Sequence, residues 1–251
     1  MSLIRYLAAH MSAPALSLVV PVYNEELVLE RSLDELCAFA EGLRIPFELV
    51  CVDDGSRDRS AAILAARAER DPRVRIERHA HNRGKGAAVR TGMLAARGAR
   101  VVFLDADLST PLEQTPALLA ALETHDVALG NRRMSGAAVQ RRQPWLRQTL
   151  GRGFTLLTRL LLASRVSDFT CGFKGFRRDA AQRIFSRSTL DGWAFDAELV
   201  AIAHAQRLSI AEVPVNWHHE DDSKVRVLHA IGSSLRDLVV IAVRRASGRY
   251  R

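Results

Sequence analysis

Apolar residues recur along this chain in two rhythms. Leu16 to Val20, Phe47 to Val52 and Val101 to Leu104 are short runs rich in β-branched residues, each closed by a polar, turn-forming segment, and they predict buried strands. Between them the apolar positions follow helical spacing over Glu25 to Leu43, Ser60 to Arg70 and Gly86 to Arg97, the last stopped by Gly98. Strand alternating with helix predicts an α/β fold, a doubly wound and mostly parallel sheet with helices on both faces. Beyond about residue 130 the alternation weakens. Leu146 to Ala163 reads as an amphipathic helix, Asp168 to Phe176 as a polar and aromatic loop with a strand, and Asp196 to Gln206 as a helix. Ile210 to Trp217 alternates like a strand, and Leu228 to Arg245 is a final amphipathic helix. No internal repeat, low-complexity tract or linker divides the 251 residues, so a single domain is expected.

Ligands of such sheets bind in the crevice outside the carboxyl ends of the strands. Three strand-end segments therefore carry the chemistry: Pro21-Val22-Tyr23-Asn24-Glu25-Glu26, Asp53-Asp54-Gly55-Ser56 and Asp105-Ala106-Asp107-Leu108-Ser109. Asp105 and Asp107 can both reach one divalent ion where the chain leaves its strand. Their oxygen ligands suit Mg²⁺ or Mn²⁺, with diphosphate oxygens filling the open positions. Taken alone, Asp-x-Asp is more often a solvated turn or a helix N-cap, and Ser109-Thr110-Pro111 would supply such a cap. Asn82 to Gly86 sets two glycines around Lys85, a backbone that can approach phosphates closely. It is neither a P-loop, because no Ser or Thr follows the lysine, nor a GxGxxG turn.

A hydrophobic content of 48% is enough to build a core and argues against extensive disorder. The net charge of +8, largely arginine, favours a polyanionic partner such as nucleic acid, anionic lipid or a phosphorylated substrate, although scattered surface arginines give the same total. A nucleic-acid-binding protein rests on this charge alone, since no RNP, KH or helix-turn-helix pattern accompanies it. Cys37, Cys51 and Cys171 form no CxxC pair, which suits a reducing cytosol. No run approaches the roughly 18 to 20 apolar residues of a membrane span, and the N-terminal segment lacks the apolar stretch of a signal peptide.

In order along the chain, PVYNEE, VDDGS, NRGKGAAVRTGMLAARG and DADLS resemble the family 2 glycosyltransferases with the nucleotide-sugar-binding α/β (GT-A) fold. Gly130-Asn131-Arg132, the segments 168–176 and 193–199, Val215-Asn216-Trp217 and Ser223-Lys224-Val225 extend the likeness to the dolichyl-phosphate glucosyltransferases and mannose synthases. The resemblance implies one catalytic domain over 1–251, with a nucleotide-binding part at about 14–130, an acceptor-binding part at about 131–227 and the C-terminal helix at about 228–245. It implies that Pro21, Tyr23 and Glu25 line the nucleoside pocket and that Asp54 bonds the base edge with Asp53 holding the loop; Lys85 fits either a cation that neutralises the diphosphate or a solvated helix N-terminus. Asp105, Ala106 and Asp107 would form the donor and metal segment, Arg132 and Arg147 would bind the acceptor phosphate, and Lys224 would close over the donor.

Two positions depart from the mannose synthases: Ser109 stands where they often carry a metal-binding Gln, and His218 stands near their phosphate-binding Arg. Asp196 lies where members acting on hydroxyl acceptors place a catalytic base. A lipid phosphate, largely dianionic at neutral pH, needs none, and Asp196 then positions substrate. The implied activity is inverting transfer of glucose from UDP-glucose to a dolichyl or undecaprenyl phosphate at the cytoplasmic face of a membrane. GDP-mannose or UDP-N-acetylhexosamine as donor, or a hydroxyl acceptor, are the alternatives. Leu228, Ile231, Leu235, Leu238 and Ala242, followed by Arg244, Arg245, Arg249 and Arg251, fit either a helix lying on anionic lipid or one packed on the sheet; Leu156 to Leu162 offers a second apolar surface. Trp193 and Trp217 read as core or as flanks of a sugar, and the histidines form no metal pattern.

Overall fold

A computed structural model describes residues 13–135, 145–162, 164–217 and 227–251, with the side chains of 145–152, 154 and 227–233 outside that description. The first half runs β1 (Leu16–Val22), α1 (Leu29–Gly42), β2 (Phe47–Asp53), α2 (Ser60–Arg70), β3 (Val74–Arg78), α3 (Lys85–Ala95), β4 (Arg100–Leu104), α4 (Thr115–Ala121) and β5 (Val127–Asn131). The second half adds α5 (Trp145–Leu162), β6 (Phe173–Arg177), α6 (Arg178–Phe185), α7 (Phe195–Ala205), β7 (Ile210–Pro214) and α8 (Val227–Ala246).

The strands form one sheet in the order β3-β2-β1-β4-β6-β5-β7. All pairings are parallel except those of β6, which runs antiparallel to both β4 and β5. The expected doubly wound, mostly parallel sheet is present, and β6 explains why strand–helix alternation fades in the second half. β1 is buried at six of seven positions and β2 at all seven, which is why both read as continuous apolar runs. Successive residues feed opposite cores: Val19, Val50 and Phe103 join one, and Val20, Cys51 and Leu104 join the other.

Two strands and two helices lie where no clear pattern stood. β3 is an edge strand reading Val-Arg-Ile-Glu-Arg, buried only at Val74, so its charges conceal it. β5 is fully buried but only five residues long, and the short α4 and α6 show too few turns for a clear period. The first helix begins at Leu29 rather than Glu25, because Val28 and Leu29 N–H both donate to Glu25 O and make 25–28 a turn.

Candidate active site

The ends of β1 and β2 lock together before any ligand is involved. Arg57 N donates to Asn24 Oδ1 at 2.8 Å, Asn24 N donates to Ser56 Oγ at 3.1 Å, and Glu25 N donates to Ser60 Oγ at 2.9 Å. Asn24 takes φ 56° to make this turn. Pro21 and Glu25 are half-buried and the Tyr23 ring is 37% exposed, so Tyr23 is available as a surface over the crevice rather than packed in the core.

Asp54 is buried and its carboxylate is saturated. It accepts from Arg83 N (3.0 Å), Gly84 N (2.8 Å) and Asn82 Nδ2 (2.9 Å), and pairs with His79 Nδ1 at 2.6 Å. Those are four contacts on a group with about four lone-pair sites. Asp54 is therefore a loop holder in this structure, not the open acceptor that reading a base edge requires. His79 extends the connection to Thr91 of α3 through Nε2 at 2.9 Å, giving a structural duty to a histidine with no legible role in the sequence. Asp53, also buried, accepts from Ser56 N at 2.9 Å. Its Oδ2 stands 3.1 Å from Arg78 Nε, off the hydrogen-bond line, and makes no hydrogen bond.

The loop that Asp54 holds delivers Lys85 to the end of β4. Gly84 has φ 103°, and a Cβ there would lie 2.5 Å from Asp191 O, so only glycine fits this entry to α3. Lys85 Nζ lies 2.6 Å from Asp105 Oδ1 and 5.6 Å from the Trp193 ring centre. Asp107 Oδ1 accepts from Ser109 N at 2.9 Å, which fixes the turn, and Leu108 takes a left-handed φ of 53° between them. A bulky residue in that conformation is a strained position, of the kind that collects at functional sites. Behind Asp105 is Gly172, where a Cβ would fall 2.1 Å from Asp105 Oδ2. Ala106 is buried, whereas Asp105 is half-buried and Asp107 exposed.

Among the described residues no third His, Cys, Asp or Glu joins the pair into a metal-holding group. Two carboxylates with a cation already drawn to one of them nevertheless fit a hard divalent ion whose other ligands come from the donor diphosphate.

Deeper in the crevice the charges alternate. Asp196, in the first turn of α7, accepts from Lys174 Nζ at 2.6 Å. Lys174 sits in the middle of β6, fully buried, and donates also to Cys171 O at 2.5 Å. Burial pushes the Asp196 carboxyl above its usual range, and Lys174 and Lys85 offset only part of this. Burial works against the Lys85 ammonium, yet Asp105, Asp196 and Asp107 outweigh it and hold its pKa above the ordinary lysine value. Sequence reasoning gave Lys174 no role. Its signal was a lysine between buried aromatics in Phe-Lys-Gly-Phe, which an ordinary strand would fill with an apolar residue.

Arg132, just past β5, is held by Asp168. Nε and Nη2 donate to the two carboxylate oxygens, each at 2.8 Å, and Nη2 also reaches Thr170 Oγ1 at 2.9 Å. Asp168 is fully buried; despite the cost of that burial, the guanidinium holds its pKa down at about 2. The Arg132 guanidinium carbon is 5.5 Å from the Trp217 ring centre, and Asp105 is among the charges it feels. Neither Trp193 nor Trp217 is a core residue. Arg147 lies on α5 with its side chain outside the described residues, and Lys224 and His218 lie outside them altogether.

Lys85, Asp105, Asp107, Asp196 and Arg132 thus meet in one crevice, while Asp53 and Asp54 form its frame. Glu198, the second acid of α7, is not in the crevice. It accepts from Thr189 N (2.8 Å), Leu190 N (2.9 Å) and Tyr250 OH (2.9 Å), tying α8 to the segment that grips the Lys85 loop.

Three comparisons bear on this arrangement, two of sequence and one of structure. The family model described as Glycosyl transferase family 2 matches residues 17–185. A dolichyl-phosphate beta-glucosyltransferase of Drosophila melanogaster is 36% identical over 251 residues, covering 94% of this chain and 77% of that protein. One from Homo sapiens is 32% identical over 250 residues, with the same coverage. Among solved structures, glucosyl-3-phosphoglycerate synthase from Mycobacterium tuberculosis, in complex with Mn²⁺ and UDP-glucose, superposes with a TM-score of 0.67 at 20% identity, covering 96% of this chain and 83% of that one.

Proposed function

This chain belongs to glycosyl transferase family 2, and we propose that it transfers glucose from UDP-glucose to a polyprenyl phosphate, dolichyl or undecaprenyl, with inversion at the anomeric carbon. The observation that carries the reading is the Lys85–Asp105 contact at the end of β4, a cation already drawn to the carboxylate expected to face a donor diphosphate. The named relatives, similar over nearly the whole chain, supply the acceptor class and the sugar.

A phosphate oxygen of the acceptor attacks the anomeric carbon as the bond to UDP breaks, and the electron pair leaves with UDP. One displacement inverts the centre and gives a β-linked lipid-phosphate sugar. Pro21, Tyr23 and Glu25 line the nucleoside pocket, and Asp53 and Asp54 act on it through the loops they hold. Asp105 and Asp107, with Ala106 between them, would hold Mg²⁺ or Mn²⁺, which when bound would neutralise charge on the departing diphosphate. Lys85 adds a second positive charge there, and Lys224 closes over the donor. Arg132, oriented by Asp168, and Arg147 hold the attacking phosphate. That phosphate has a second pKa near 6, so it attacks without a base. Asp196 then positions substrate. Its raised pKa suits proton abstraction equally, which supports a second reading with a hydroxyl acceptor.

All three cysteines are buried and free, and burial pushes Cys51 up to about 12 and Cys171 up to about 11, so they stay as inert thiols. This suits a reducing compartment, and we place the reaction at the cytoplasmic face of a membrane.

The test is incubation with dolichyl or undecaprenyl phosphate, Mg²⁺ and, in turn, UDP-glucose, GDP-mannose and UDP-N-acetylglucosamine, followed by mass analysis of the lipid. A hexose adduct from UDP-glucose is expected. No lipid product with any donor would overturn the acceptor, and a product from another donor alone would overturn the sugar. Asp196→Asn separates the two acceptor readings: transfer to lipid phosphate survives in part, whereas transfer to a hydroxyl is abolished.

A further inference from the structure

A carboxylate taken wholly out of water is costly unless donors surround it, and an apolar residue of similar shape is often the more stable choice in its place. Glu198 of α7 is fully buried all the same. Its partners show what the acid is for. Thr189 N and Leu190 N donate to Oε2 at 2.8 and 2.9 Å, while Thr189 Oγ1 and Tyr250 OH donate to Oε1 at 2.9 Å each and Arg244 Nη1 at 3.3 Å. Residues 188–191 belong to neither helix nor strand, so no regular ladder takes the two N–H groups, and Glu198 takes both. Tyr250 is itself buried, and burial together with the adjacent carboxylate pushes its phenol well above the usual tyrosine range, so it stays a donor.

The segment that Glu198 holds is pressed against the loop of Lys85. Asp191 O accepts from Gly86 N at 2.8 Å, one of the N–H groups that the first turn of α3 leaves without a helical partner. Asp191 Oδ1 accepts from Arg90 Nη2 at 2.5 Å, one turn further along the same helix. A glycine on each side of Lys85 lets the two backbones meet: a Cβ on Gly84 would lie 2.5 Å from Asp191 O, and one on Gly86 would lie 2.5 Å from Leu190 O. Trp193, two residues beyond Asp191, sets its ring centre 5.6 Å from Lys85 Nζ. We propose that Glu198 is a positioning residue for donor binding: by fixing residues 189–191 it sets where Lys85 stands relative to Asp105, and so where a positive charge meets the donor diphosphate. The inference rests on the reading of Lys85 as the diphosphate cation. The charges that act on the Lys85 ammonium are those of Asp105, Asp196 and Asp107, so Glu198 works through the reach of its carboxylate and not through its charge.

The experiment is calorimetric titration of UDP, with Mn²⁺ present, into the full chain and its variants well below the melting range, with thermal unfolding to verify that each variant folds. Glu198→Asp keeps the charge but withdraws the carboxylate by one methylene. Glu198→Gln keeps the reach and gives up the charge; its oxygen can face the 189–190 N–H pair, and the hydroxyls of Thr189 and Tyr250 can accept from its nitrogen. Glu198→Asp should weaken UDP binding about 10-fold, and Glu198→Gln by no more than about 3-fold. The loss should also need the lysine. In a Lys85→Met background, itself weaker for UDP, Glu198→Asp should add less than about 2-fold, because two residues that act through one contact are not additive. Asp191→Ala, made at a side chain 42% exposed, repeats the test should Glu198→Asp not fold. It cuts the Arg90 tie and should weaken UDP about 3-fold, again only with Lys85 present. Wild-type UDP affinity in the folded variant, a larger loss in Glu198→Gln than in Glu198→Asp, or a loss that persists in full beside Lys85→Met overturns the proposal. Lys85→Met that binds UDP as wild type does defeats the donor-site reading instead.

Discussion

The ends of β2 and β4 carry the same kind of sequence, closely spaced aspartates where a buried parallel strand gives way to a loop, and the fold uses them in opposite ways. At β2, Asp53 and Asp54 are 1% and 2% exposed, and Asp54 accepts two backbone N–H groups, an amide and an imidazole. At β4, Asp107 is exposed and Asp105 half-buried, and the contacts are one lysine and one turn N–H. Saturated, buried carboxylates stiffen a frame. Unsaturated carboxylates at the mouth of the crevice remain free for a cation and a diphosphate. The difference lies in which loops fold back over each strand end, and that is decided by residues 25 to 30 positions away.

Substitutions at the two strand ends should therefore fail in different ways. Asp105→Asn should lower kcat by roughly 10³-fold, about 4 kcal/mol of transition-state stabilisation, with the thermal midpoint unchanged; a loss of stability instead would erase the contrast. Lys174→Met strands the buried Asp196 without its partner and should cost about 3 kcal/mol in denaturant unfolding. Lys174→Arg, which keeps the charge, should restore part of the turnover if the lysine positions Asp196 and none if the strand merely needs that shape. Asp54→Asn replaces an acceptor among donors by a group that itself donates, and should cost about 2 kcal/mol of stability. UDP affinity measured well below the melting range should change far less than in Asp105→Asn.

The smallest effect is a pH effect at Arg132. The Asp168 pKa is about 2 in the fold against an ordinary 3.8, so its pairing contributes stability above about pH 4 that is lost as pH falls towards 2. Asp168→Asn should flatten that acid limb of the stability curve.

β1, β2 and β4 were legible because they are buried on both faces and leave an apolar run. β3 was hidden by the charges of an edge and β5 by its shortness, whereas β6 was legible as the strand at the end of 168–176. The crevice residues were legible as types at strand ends, and Lys85, Asp105, Asp107, Asp196 and Arg132 do converge. Which aspartate holds a loop was not, since Asp54 is committed by backbone N–H groups at 83 and 84 that carry no sequence signature. The outward leucines of α5 were visible as an amphipathic helix, but its orientation was not: periodicity gives a face, and only the packing of Thr155 and Thr158 shows which way it points.

The most direct test is calorimetric titration of UDP into the wild-type chain and into Asp105→Asn, each with and without Mn²⁺. UDP should bind wild type far more tightly when Mn²⁺ is present, and Asp105→Asn should lose that dependence while remaining folded. Equal UDP affinity with and without Mn²⁺, unaltered by Asp105→Asn, would contradict the assignment of the β4 strand end as the donor site.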